Sequence, residues 1–152
     1  MAISKNSNLL PLICGIYYAL PEEVVSLSYS STDLYHKTIV FKTGKAWKQI
    51  YFTPGSAEFT ENDKSSDPGI LSEQTLKFIF PGEDENNNKD IDLIKDRPVL
   101  VKIFYPSINL SKIMGTLENG ARLISNLTTS PKSSGREMIF ACLGDEPASW
   151  LT

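Results

Sequence analysis

The chain has 152 residues, with 15 Lys and Arg against 18 Asp and Glu and 41% hydrophobic residues. That is the balance of one ordinary globular domain spanning 1–152, large enough to bury a core without disulfides or a structural metal. Two cysteines exclude a stapled scaffold, and a formal charge of −3 with scattered lysines excludes the basic face on which phosphate gripping depends.

The most apolar stretch, Leu9 to Leu20, is twelve residues long, short of the ~20 that cross a bilayer as a helix. Leu20-Pro21-Glu22 offers no small-residue cleavage site, so the stretch predicts a buried segment behind a flexible N-terminus. No membrane partner is expected. Strands follow at 24–29 and 37–42. At 46–53, Ala46, Ile50 and Phe52 alternate with Trp47, Gln49 and Tyr51, the period of a strand with one buried face.

Pro54 to Gly69 is polar and rich in turn formers and predicts a long loop, inside which Phe59 marks a short strand or a docking contact. Residues 75–80 alternate again, with Leu76, Phe78 and Phe80 on one side. Pro81 to Asn88 is acidic and amide-rich and predicts a second mobile loop. Lys89 to Asp96, closed by Pro98, predicts a two-turn helix with acids near its start and Lys95 near its end. Val99, Val101, Ile103 and Tyr105 form the clearest strand. Pro106-Ser-Ile-Asn-Leu110 has hairpin spacing before a strand at 110–116, and further strands are expected at 121–127 and 136–143, separated by the polar stretch Thr128 to Gly135. Nine Gly and nine Pro leave little room for helices. The fold class is mainly β, a single-domain sandwich or barrel with one short helix and long loops.

Catalytic and metal-binding patterns are missing. His36 is the single histidine, and no Gly-x-Ser-x-Gly elbow accompanies it. Cys14 and Cys142 lie at opposite ends of the chain without neighbouring ligands, which excludes a thiolate zinc site. Asp84, Asn86 and Asn88 match the start of a calcium loop, but Lys89 replaces the turn glycine and Lys95 the bidentate acid. Gly115 to Gly120 lacks the Lys-Ser/Thr ending of a phosphate loop. The sequence therefore assigns no catalytic, cofactor-binding or metal residue and reads as a non-enzyme. Tyr and Trp side chains could line a sugar-binding face, with core filling the commoner use of Trp47 and Tyr51. Trp150 and Leu151 must dock either on their own domain or on a neighbour.

Arg97-Pro-Val-Leu-Val-Lys-Ile-Phe-Tyr105, followed by Lys112-Ile-Met-Gly-Thr-Leu-Glu-Asn-Gly-Ala-Arg-Leu123, resembles a pattern in small β-rich virion proteins of phages and prophages of Bacteroides-type bacteria. Phe52-Thr-Pro-Gly-Ser-Ala-Glu-Phe59 resembles the same group. The chain departs from that pattern at Gly120, where a proline is expected. The resemblance implies a tail-tube, tail-completion or neck subunit, without catalytic residues, made in the bacterial host cytoplasm and built into the virion. Its partners would be copies of itself and other virion proteins. Long polar arms then become the expected assembly surface: Phe59, Asp63 and Lys64 in the 54–69 loop, and Trp150 with Leu151 at the C-terminal end. A β-sandwich module that binds carbohydrate or another surface ligand is the alternative.

Overall fold

The computed structural model describes residues 12–29, 36–66, 69–80, 93–95, 97–130, 133–144 and 148–151. Eleven strands follow one another: β1 (Gly15–Ala19), β2 (Val24–Tyr29), β3 (His36–Phe41), β4 (Lys48–Ile50), β5 (Glu58–Ser66), β6 (Gly69–Phe80), β7 (Leu100–Tyr105), β8 (Leu110–Met114), β9 (Arg122–Ser130), β10 (Ser133–Gly144) and β11 (Ser149–Leu151). They build a seven-stranded sheet in the order β2-β3-β11-β8-β7-β1-β4 and a four-stranded sheet in the order β5-β6-β10-β9. Both sheets have two edges, so neither closes into a barrel. All the ladders are antiparallel except β11 with β3.

Alternation explains which faces meet. Ile16, Tyr18, Val101, Ile103 and Met114 of the large sheet share one buried cluster with Leu76, Phe78, Phe80, Met138 and Phe140 of the small one. Burying each such side chain contributes roughly 1.5–3 kcal/mol, which is what holds the sheets together. Phe78 and Phe140 stack at 5.9 Å between centroids, and Phe52 meets Phe78 edge-on at 6.3 Å. The apolar stretch before Leu20 contributes β1, an inner strand paired with β7 and with the edge strand β4. The hairpin at Pro106 forms as its spacing predicts: Asn109 adopts φ 51°, a left-handed conformation its short polar side chain tolerates, and its N–H donates to the Pro106 carbonyl at 3.2 Å.

Three expectations need correction, and the departure at Gly120 gains a physical reason. The 46–53 strand is confined to Lys48–Ile50 because the chain changes sheets there: the Thr53 N–H donates to the Ile79 carbonyl of β6 at 2.8 Å, and the Ile79 N–H donates to Ser56 Oγ at 3.1 Å. Most of the 54–69 loop is β5, hydrogen-bonded to β6 from Glu58–Lys77 to Ser66–Gly69. Polar composition concealed it, since an edge strand accepts charge that an inner strand could not. Thr128–Ser130 and Ser133–Gly135 are paired strand as well, not a spacer. At Gly120 a Cβ would lie 2.8 Å from the Val99 nitrogen and 2.9 Å from the Pro98 Cβ. That contact accompanies the reciprocal Val99–Ala121 bonds at 2.9 and 2.8 Å and leaves no space for the expected proline. Of the proposed 89–96 helix only Leu93 and Ile94 are described as helical; the remainder of that reading, the 81–89 loop, the calcium-like triplet and the N-terminal residues before Leu12 lie outside the described residues.

Candidate functional site

The small sheet is two hairpins laid side by side with an offset. The β6–β10 ladder ends at Phe80–Arg136 on one side, and the β9–β10 hairpin continues past it through Gly135–Thr128, Ser134–Thr129 and Ser133–Ser130. At the other side the ladder ends at Ser72–Gly144, and the β5–β6 hairpin continues through Lys64–Leu71, Ser65–Ile70 and Ser66–Gly69. Each hairpin thus overhangs by about 10 Å at the strand rise of ~3.3 Å per residue.

The two edges of this sheet differ in chemistry. β5 has nine residues, four of them charged: Glu58, Glu61, Asp63 and Lys64. β9 also has nine residues, with Arg122 as its one charge and none from Ile124 to Ser130. Among the described residues β9 pairs with β10 alone, apart from one parallel bridge between Lys95 and Leu123. The sheet face away from the core mixes exposed apolar side chains with the charged Arg122, Glu137 and Lys77. Ile124 is 51% exposed, Ile79 41% and Leu143 47%; Ile124 lies opposite Ile139 on β10, and Ile79 opposite Glu137.

The sequence-predicted assembly residues separate into two groups. Phe59, Asp63 and Lys64 lie along the β5 edge. Trp150 and Leu151 do not form a terminal arm; they are β11, flanked by β8 and β3 inside the large sheet. Phe59 and Trp150 nevertheless come together, because the Lys112 ammonium of β8 lies 5.3 Å from the Phe59 ring and 4.9 Å from the Trp150 ring. A cation over two ring faces contributes about 0.5–1 kcal/mol per ring at partly exposed sites. Tyr105 meets Trp150 edge-on at 6.2 Å, and its phenol is pushed up to about 12 by burial and by the neighbouring Glu61 carboxylate. Asp63 and Lys64 continue along β5 beyond this cluster, opposite Ser72 and Leu71. Lys112 enters the sequence reading only as part of the resemblance and not as a site residue, although a signal exists: it falls between Leu110 and Met114 and pairs with Ile103, so the strand period places a lysine on the core side.

The arrangement holds the sheets together and offers little nucleophilic chemistry. Cys142 is buried, its thiol pushed up by burial, with Sγ 3.6 Å from the Asn119 carbonyl; a raised thiol is a poor nucleophile. Cys14 is exposed and borders a cavity of about 240 Å³ walled by Leu12, Ile13, Ile50 and Phe52. His36 begins β3, with β11, β8 and β7 intervening before β1, so the Cys14 thiol and this imidazole are separated by roughly 19 Å across the sheet. A second cavity of about 370 Å³ lies between Tyr29, Lys37 and residues 116–119, where the Lys37 ammonium already lies 4.9 Å from the Tyr29 ring. Both tryptophans are engaged within the chain, Trp47 with Phe41 and Lys102 and Trp150 as above. No group of three or more His, Cys, Asp or Glu side chains that could hold a metal occurs among the described residues. No helix among them is long and apolar enough to cross a membrane.

Comparison with known proteins found no matching family model, no matching curated sequence and no matching solved structure.

Proposed function

We propose that this protein is a non-enzymatic structural subunit that assembles with copies of itself into a ring or tube. The resemblance of its second half to phage tail and neck proteins supplies the setting, a virion assembled in the bacterial host cytoplasm with other virion proteins as neighbours. The observation that carries the reading is the β9 edge: seven successive residues, Ile124 to Ser130, with no charge, no proline and one strand partner among the described residues. A long uncharged edge is a template for further pairing, and natural sheets usually blunt such edges unless pairing is their use. Ile124 on this edge is itself 51% exposed, apolar surface that association would cover.

Light scattering across a wide concentration range, with negative-stain imaging, tests the reading. A mass that rises with concentration and regular rings or tubes are expected. A monomer at every concentration that binds an oligosaccharide through its aromatic side chains would replace it with the carbohydrate-module reading.

A further inference from the structure

We infer that β9 pairs with β9 of a second copy, antiparallel across a twofold axis at Leu127, which makes a dimer the unit that assembles. The inference rests on the self-association reading and specifies the contact. Self-pairing is favoured by the charge pattern. β5, the other edge of the small sheet, carries Glu58, Glu61 and Asp63 against Lys64; two β5 strands would repel, and its charges blunt it toward any strand. Ile124–Ser130 is neutral, so two copies meet without like charges opposite one another.

The structure also limits the register. Lys95 already bridges Leu123, so among the described residues the stretch paired with β10 alone begins at Ile124. Centred on Leu127, the ladder pairs Ile124 with Ser130 of the second copy, Ser125 with Thr129, Asn126 with Thr128, and Leu127 with itself. A planar ring closing β9 of one copy on β5 of the next is disfavoured by the same bridge. Followed through the ladders, Arg122 is level with Thr60, Leu123 with Phe59 and Ile124 with Glu58; neighbours at one height would overlap only there, where Lys95 stands. The twofold contact joins two four-stranded sheets into one of eight strands. It leaves β2 and β4, the edges of the large sheet, for contacts beyond the dimer.

Cysteine cross-linking in the full chain tests this register. In a Cys14→Ser background, Leu127→Cys is expected to give a disulfide-linked dimer under mild oxidation, because only a residue on the axis opposes itself at disulfide distance. Ile124→Cys alone is expected to give none, as the two copies of residue 124 lie about 20 Å apart along the strand direction. Ile124→Cys combined with Ser130→Cys restores the cross-link. Leu127→Lys, checked for folding by circular dichroism, should raise the dimer dissociation constant about tenfold or more. A wild-type chain that assembles while Leu127→Cys stays uncross-linked and Leu127→Lys assembles normally overturns the twofold contact and leaves self-association standing. A wild-type chain that stays monomeric at every concentration overturns both.

Discussion

β5 and β9 border the same four-stranded sheet, each nine residues long, and they meet water in different ways. β5 carries charge at four positions, and one of its acids, Glu61, acts inward on Tyr105 of the facing sheet. β9 carries charge only at Arg122, and the exposed Ile124 lies opposite Ile139 of β10. The charges of β5 blunt that edge toward other strands, while β9 has β10 as its one ladder partner among the described residues and no charge beyond Arg122 to blunt it. Two strands in the same position at opposite edges of one sheet thus differ in the charges that face a neighbour.

The largest expected effect comes from the core that both hairpins share. Phe140 is fully buried between Leu76 of β6 and Leu123 of β9 in the register, so Phe140→Ala should cost about 3–5 kcal/mol by chemical denaturation. A loss below about 1 kcal/mol would mean that the two hairpins do not share one core. Next is the exchange of edge chemistry. Neutralising β5 with Glu61→Gln and Asp63→Asn should open the second edge and raise the mass in solution beyond that of the wild type, whereas Leu127→Lys should lower it, since it removes an apolar pair at the axis and sets like charges directly opposite one another. If the β5 variant leaves the mass unchanged, charge is not what blunts that strand.

Thiol labelling gives a smaller, local contrast. Cys14 is exposed and Cys142 buried with a raised thiol, so a maleimide should modify Cys14 about tenfold faster or more in the native state. Equal rates would show that the β10 end of the core opens readily. The smallest effect at neutral pH belongs to Tyr105. Its phenol holds its proton up to about 12 in the fold, against about 10 in an unfolded chain. The folded state thus binds more protons in that window, and the contribution to stability, fully present below pH 10, is lost as pH rises through 12. Tyr105→Phe should flatten the decline in stability over that interval, and an unchanged slope would dissociate Tyr105 from it.

Much of the fold was legible where a strand has one wet and one dry face. Leu76, Phe78 and Phe80, and Val99 through Tyr105, show the period of two because the core removes one side of each from water. β5 showed no such pattern, since Glu61 and Asp63 alternate with Thr60 and Asn62 without an apolar face. β11 has three residues, too few for any period. Of the candidate site, the sequence singled out Phe59 and Trp150 by residue type, but Lys112, which joins them, and Glu61, which acts on Tyr105, depend on two sheets facing each other.

By itself the sequence determined that this chain is mainly β, that its core strands run where they do, and that His36, Cys14 and Cys142 fit no familiar catalytic or metal-binding pattern. Those properties follow from local steric preference and apolar period, which neighbouring residues encode. The tertiary structure alone decided that the polar 58–66 segment is an edge strand, that Trp150 is held inside a sheet, and that β9 is left with an uncharged edge. Edge or interior is a property of a strand's neighbours across the sheet, and those neighbours are tens of residues away along the chain.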